Sequence, residues 1–363
     1  MNILFVYYLP SGGVETLNRQ RSIALKKYGI HCDFLYYQKK RELINIHEGR
    51  TFVTDNNEEI AKIIQNGNYT AIVLTSDYIG LSRFRKIGYT GLLIYEIQGL
   101  GTEKTAQREL KKASYLISKF ADAILVSKTP HILAILQALP NLPQTFVMNN
   151  CFDIEHFSYL PSQSQIGQPI IAWIGRIENN KNWSEFLHIG HQLIEKYNPN
   201  IQLMIFEDPT LSSPDERQKF QQTIQTLNLT RNLIIHSNIP HERMATFYSM
   251  IGDSGGLLCS TSITEGFGYA IVEAMSCLCP VLSTRSDGVS NSIIHNQTGK
   301  YYTIGNITEA FNEGKELMEN KTLREQIRYA ALHHVKQEFS IETYGSQFLY
   351  MINRLKQAKN KKV

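Results

Sequence analysis

The chain has 363 residues, of which 42% are hydrophobic and 19% charged, and its net charge is +4. That length suits two domains, and that composition suits a globular protein rather than a disordered or fibrous one. No run of about 18 apolar residues is present, so no transmembrane helix is expected. The five scattered cysteines show neither a disulfide framework nor paired metal-ligand spacing, which favours a reducing compartment.

Short apolar, β-branched runs alternate with helical patterns along the whole chain. Residues 3–8 read as a first strand rather than a signal peptide, because the run is short and lacks a basic start. Further strands are expected at 32–37, 71–75, 92–95, 123–126 and 145–148, with helices at 14–28, 58–65, 103–119 and 130–136 between them. The alternation predicts a parallel sheet with helices on both faces, a Rossmann-like α/β domain over residues 1–153. Residues 154–168, with Pro161, Ser162, Ser164 and Gly167, read as a linker. A second series fills 169–340, with strands at 170–174, 202–206, 233–236, 255–259 and 281–283. Its helices are expected at 183–197, 215–227, 242–250, 268–277, 308–318 and 321–339, and a last helix near 342–356. Two doubly wound domains of this kind place a ligand cleft at the carboxyl ends of their strands.

Chemistry concentrates in the second series. The strand at 255–259 leads to Glu265-Gly266-Phe267-Gly268 and then to a helix carrying Glu273. Glu265 therefore falls in a strand-to-helix loop, and Gly266 to Gly268 are expected to form the first helical turn. Backbone N–H groups and the helix dipole favour an anion there, and glycine admits a ligand close to the backbone. Glu273 lies about 7.5 Å beyond Gly268 along the helix axis, so the two carboxylates can address different parts of one ligand. The strand at 170–174 delivers Gly175 and Arg176 to its carboxyl end, and Lys181 follows before the next helix. Two fixed cations at a cleft suit a diphosphate: the guanidinium can bind two oxygens, and the ammonium acts as a point charge.

In the first domain, Gly12 and Gly13 stand between the first strand and the first helix, without the G-x-G-x-x-G spacing of a nicotinamide-binding loop. Zinc and calcium spacings are absent, as is D-x-D for a nucleotide-bound metal, so no metal site is expected. Residues 1–150 carry 18 Lys and Arg against 12 Asp and Glu, leaving 19 against 21 in the rest of the chain. Residues 356–362 add a basic cluster. A basic amphipathic helix with Lys104, Arg108, Lys111, Lys112 and Lys119 can meet an anionic membrane surface.

The phrase E-G-F-G-x-x-x-x-E-A-M at 265–275 resembles the E-x7-E motif of retaining glycosyltransferases of family 4, which have the GT-B fold. Gly175-Arg176-Ile177 through Lys181 is similar to that family's G-R-[LI]-x-x-x-K stretch, and Gly12-Gly13-Val14-Glu15 to its G-G-x-E loop. Residues 149–157 resemble the interdomain N-G-V-D-x-x-x-F stretch, with Cys151 in place of glycine, and Cys279-Pro280-Val281 resembles its P-V strand. The resemblance implies two facing Rossmann-like domains, with the terminal segment 341–363 packing back on the first, acceptor-side domain. It implies that Arg176 and Lys181 hold the diphosphate and stabilise the leaving charge. Glu265 would orient the sugar, Gly266, Phe267 and Gly268 would line the donor, and Glu273 would receive the ribose hydroxyls. Gly12 and Gly13 would lie between donor phosphate and acceptor. Gln98 stands where the family often has a histidine beside the donor sugar, and glutamine can hydrogen-bond but carries no charge.

The implied activity is transfer of a sugar, with retention, from a nucleotide-diphosphate sugar to a hydroxyl acceptor, with a UDP-sugar favoured over a GDP-sugar. The acceptor would be a glycan, a lipid-linked molecule or a small molecule of cell-envelope, polysaccharide or glycoconjugate synthesis. No metal or other cofactor and no nucleic-acid partner is implied, and the expected place is the cytoplasm, peripherally at the inner face of the membrane. A catalytically silent nucleotide-sugar-binding protein and a nucleotide-sugar epimerase are the competing readings.

Overall fold

In the computed structural model the described residues are 1–40, 42–45, 48–161 and 167–361. Residues 162–166 of the expected linker and Lys362 of the basic tail lie outside them. The chain divides into two compact units, Met1–Asp153 with Phe339–Val363, and Ile154–Glu338. Among the described residues no helix is long and apolar enough to cross a membrane.

The first unit runs β1 (Asn2–Tyr7), α1 (Gly13–Lys26), β2 (His31–Tyr36), β3 (Thr51–Val53), α2 (Asn57–Gly67), β4 (Ala71–Thr75), α3 (Tyr78–Lys86), β5 (Leu92–Ile97), α4 (Glu103–Phe120), β6 (Ala123–Val126), α5 (Pro130–Ala138) and β7 (Thr145–Val147). Its seven strands are all parallel, in the order β3-β2-β1-β4-β5-β6-β7. The inner strands are apolar at nearly every position because both faces of the sheet are covered. One face packs α1 and the terminal helix, Ile341–Asn360, through Leu25, Tyr344, Phe348 and Ile352. The other packs α2 to α5 through Ile60, Phe84, Leu110 and Leu136. Side chains that accept from free N–H groups start several of these helices: Asn56 for α2, Thr102 for α4 and Ser340 for the terminal helix.

The second unit contains β8 (Ile170–Ile174), α6 (Trp183–Lys196), β9 (Gln202–Glu207), α7 (Pro214–Thr226), β10 (Leu233–Ser237), α8 (His241–Asp253), β11 (Leu257–Ser260), α9 (Tyr269–Ser276), β12 (Val281–Thr284), β13 (Lys300–Tyr302), α10 (Ile307–Glu319) and α11 (Lys321–Glu338). Its six parallel strands are ordered β10-β9-β8-β11-β12-β13. Trp173, Phe186, Leu193, Leu203, Phe220 and Leu257 form a core between the sheet and its helices.

Three elements go beyond the sequence expectation: β3, β13 and α3. β3 and β13 span three residues each, too few to show a period, and β13 includes the charged Lys300. α3 contains Gly80 and three basic residues in nine, which masks its apolar stripe of Leu81 and Phe84.

Candidate active site

The order of the second sheet fixes where a ligand can enter. From β8 the chain steps outward to β9 and β10, and then returns to place β11 on the other side of β8. The order reverses at β8, the switch point of a doubly wound sheet, where ligands bind outside the carboxyl ends of the strands; here those are the ends of β8 and β11.

Both loops carry residues singled out by sequence. After β8 come Gly175 and Arg176, then a 3-10 turn at Asn179–Lys181 that ends on Asn182 in the left-handed region. After β11 come residues 261–268. The two loops are laced together by backbone and side chain. Ile263 N donates to Asn180 O at 2.8 Å, and Asn180 Nδ2 to Thr264 O at 3.0 Å. Thr264 Oγ1 donates to Asn180 Oδ1 at 2.8 Å, while Thr261 Oγ1 donates to the carbonyls of Lys181 and Asn182 at 2.9 Å each. Trp173 Nε1 in turn donates to Thr261 Oγ1 from inside the core at 2.9 Å.

This lacing brings Lys181 Nζ to 2.6 Å from Glu265 Oε2, and Ser262 Oγ donates to the same oxygen at 3.1 Å. The lysine and glutamate side chains remain 22% and 20% exposed, so the pair is reachable by a ligand. Arg176 stands apart on the rim: its guanidinium is 45% exposed and lies 3.0 Å from Glu178. The two cations expected to act together thus each begin beside a carboxylate.

The glycine loop differs from expectation in one respect. Gly266 to Gly268 precede the helix rather than forming its first turn; α9 starts at Tyr269 with Gly268 as its N-cap. The reason is backbone geometry. Gly268 has φ +79°, a left-handed conformation that only glycine adopts without strain, and it sets the chain's entry into the helix. Ile271 and Val272 donate to Gly268 O at 2.9 and 3.2 Å, which closes the first turn on that residue. The loop is held from below by Gly288, whose N–H donates to Glu265 O at 3.0 Å. A side chain on Gly288 would lie 2.1 Å from Gly266 O, so this contact requires glycine. The rings of Phe267 and Tyr269 meet edge to face with centroids 4.7 Å apart.

Glu273, on α9, is almost fully buried. His241 Nε2, at the start of α8, lies 2.8 Å from its Oε1, and Tyr248 OH donates to Oε2 at 2.8 Å. Burial, reinforced by Glu273, raises the Tyr248 phenol well above its ordinary pKa and keeps it a donor. The His241 ring stacks on Phe157 with centroids 4.7 Å apart. His241, Tyr248, Asn180 and Ser262 were not anticipated. His241 and Tyr248 lie 32 and 25 residues before Glu273, with no local pattern to connect them to it.

The first unit carries the remaining candidates at the corresponding edge of its own sheet. Gly12 follows β1 with φ +76° and caps α1, whose first residue is Gly13. Gln98 follows β5, two strands from β1. Its Nε2 donates to Asn150 Oδ1 at 3.0 Å and to Glu96 Oε1 at 3.2 Å, and Asn150 Nδ2 donates back to Gln98 Oε1 at 2.8 Å. Glu96 is buried and held by the equally buried Arg21 at 2.8 Å. Cys151 is also buried, and its thiol is pushed above its ordinary pKa chiefly by burial.

Residues 161–334 match the family model described as glycosyl transferases group 1. Among curated relatives, a 2-deoxystreptamine N-acetyl-D-glucosaminyltransferase of Niallia circulans is 24% identical over 174 residues, 48% of this chain and 42% of that protein. A trehalose synthase of Thermococcus litoralis is 22% identical over 188 residues, 51% of this chain and 44% of that protein. The chain thus spans less than half the length of these relatives. Among solved structures, a sucrose-phosphate synthase from Thermosynechococcus elongatus superposes with a TM-score of 0.81 at 19% identity, covering 98% of this chain and 99% of that one. Anabaena HepE in complex with UDP-glucose gives 0.77 at 19% identity, covering 98% and 100%. The chain therefore has the GT-B fold of two Rossmann-like units, and its second unit contains the stretch, 161–334, that matches glycosyl transferases group 1.

Proposed function

We propose that the protein is a retaining glycosyltransferase that moves a sugar from a nucleotide-diphosphate sugar, UDP-sugar in preference to GDP-sugar, to a hydroxyl acceptor. The observation that carries this reading is the convergence of Lys181 and Glu265 at the carboxyl ends of β8 and β11, with Glu273 on α9, the helix that follows the Glu265 loop. The lysine and Arg176 would take the diphosphate, the Glu265 carboxylate the sugar hydroxyls, and Glu273 the ribose. Fold neighbours solved with UDP and UDP-glucose support uridine as the base.

In this reaction the bond from the anomeric carbon to the phosphate oxygen breaks. The acceptor oxygen bonds that carbon on the same face, and its proton passes to the departing phosphate oxygen. Arg176 and Lys181 stabilise the charge that grows on the diphosphate, and the amino end of α9 adds its dipole. With two cations for that charge, the chemistry needs no metal.

A thermal-shift screen against UDP, GDP, ADP and their sugar conjugates, without metal, tests the donor assignment. A ligand at 100 times its dissociation constant adds about 2.7 kcal/mol of stability. The expected result is a clear rise in melting temperature with UDP and UDP-sugars only. No response to any nucleotide in a folded sample would remove the donor site, and binding without turnover on any acceptor would favour a silent binding protein.

We further propose a cytosolic location with contact to anionic lipid, which suits a lipid-linked glycan acceptor of envelope synthesis. All five cysteines are free thiols, as in a reducing compartment. Lys104, Arg108, Lys111, Lys112 and Lys119 lie on the exposed side of α4 around Tyr115, which is 66% exposed. Glu109 pairs with Arg108 and Lys112, leaving the other three to set the field. Vesicles containing anionic lipid should pull the protein down at low salt and release it at 1 M salt, where the Debye length is about 3 Å. Equal recovery with neutral vesicles would end the membrane assignment.

A further inference from the structure

The clamp on Glu273 has a chemical meaning for the nucleotide. A carboxylate accepts at about four lone-pair sites, so donors on both of its oxygens fix its plane. Here His241 meets Oε1 and Tyr248 meets Oε2, both at 2.8 Å. Both donors come from α8, seven residues apart and so on one face of that helix, and α8 packs on α9. Each donor is itself fixed. Tyr248 is fully buried, and its raised pKa keeps the proton on its oxygen. The His241 ring is stacked on Phe157 at 4.7 Å. Facing a carboxylate, Nε2 is the donor of this contact.

A carboxylate locked in one plane, with its two oxygens about 2.2 Å apart, matches two neighbouring hydroxyls on one ring. Such a pair exists in ribose and not in 2′-deoxyribose. We propose that His241 and Tyr248 are positioning residues that hold Glu273 to read the ribose cis-diol, and that the site thereby selects ribonucleotides over 2′-deoxyribonucleotides. This inference rests on the reading that Glu273 faces the nucleotide.

Removing one hydroxyl from a ligand takes one hydrogen bond away from a buried carboxylate, and a hydrogen bond to a charged group changes affinity about 10- to 100-fold. Calorimetry with UDP and with 2′-deoxy-UDP on the full chain measures this. The wild type should prefer UDP by about that factor. Tyr248→Phe removes only the hydroxyl. His241→Phe keeps a ring against Phe157 but removes the N–H, and His241→Gln restores a donor near the same place. The two phenylalanine variants should lose UDP affinity while 2′-deoxy-UDP affinity stays put, so that the preference falls to about threefold or less. His241→Gln should recover it. A merely structural role would weaken both ligands alike and leave the ratio unchanged.

Glu273→Gln separates the two layers of the argument. If it abolishes the preference while Tyr248→Phe and His241→Phe retain it, the positioning role is overturned and the nucleotide reading survives. If Glu273→Gln leaves the preference intact, or the wild type binds neither ligand, both are overturned. Should Tyr248→Phe fail to fold, the two His241 variants decide alone.

Discussion

Lys181→Ala should lower turnover by about 10²- to 10³-fold, or about 3–4 kcal/mol of transition-state stabilisation. The loss has two sources. The ammonium is the nearest cation to Glu265, and without it the diphosphate loses a fixed positive charge at the moment its own charge grows. The glutamate, 2.6 Å away in the intact pair, then lacks its cation and repels the phosphates. A double-mutant cycle with Glu265→Gln separates these contributions: turnover partly restored in the double variant measures the repulsion. Arg176→Ala should cost a similar factor, although its guanidinium starts on the rim beside Glu178. The check is kcat on purified variants that melt like the wild type. Undiminished kcat in Lys181→Ala would remove the lysine from the mechanism.

Arg21→Met should destabilise the first unit by about 3–5 kcal/mol, because it leaves a buried carboxylate without its cation. Arg21 and Glu96 are both essentially inaccessible, with Nη1 2.8 Å from Oε1 and 2.9 Å from Oε2. Thr75 Oγ1 also donates to Oε2 at 2.6 Å. Burial opposes the charge on Arg21, yet the adjacent Glu96 overrides it and holds the guanidinium above its ordinary pKa. Its other contacts are Asn18 Oδ1 at 2.9 Å and the Phe5 ring, whose centroid is 3.7 Å from Cζ. Replacing the pair together, as Arg21→Met with Glu96→Leu, removes the uncompensated charge and should recover most of the loss. Hydrogen exchange on β1, β4 and β5 reads the first unit separately from the second. Full protection in Arg21→Met would show that the pair is not needed for the fold.

Much of the fold was legible because parallel strands covered on both faces read as unbroken apolar runs. β4, β6 and β8 fall at the residues that their runs mark, Ala71–Thr75, Ala123–Val126 and Ile170–Ile174. β13 was hidden for the opposite reason. Its Lys300 is buried beside Glu316, 2.6 Å away, and Glu313, so a charge sits where an apolar residue was sought. In the site, each loop was readable as a local phrase, since Arg176 to Lys181 and Glu265 to Glu273 are short segments. Their joining was not readable, because Lys181 and Glu265 are 84 residues apart and are brought together by the β8–β11 pairing and the bonds of Asn180 and Thr261 across the loops. The helix start was misplaced by the same limit: a glycine's left-handed φ cannot be told from its helical one by residue type.

In the proposed donor site, the Lys181–Glu265 pair would also bear on what kind of anion can settle there. Lys181 lies 2.6 Å from Glu265, so a ligand that takes the lysine must part it from the carboxylate. A bare phosphate offers the lysine an oxygen but gives the glutamate nothing, and displacing the pair then strands a carboxylate. A sugar diphosphate offers oxygen acceptors to the lysine and hydroxyl donors to the glutamate in one molecule. On that assignment the built-in pair would act as a gate on composition, favouring ligands that carry both functions over inorganic anions that carry only one.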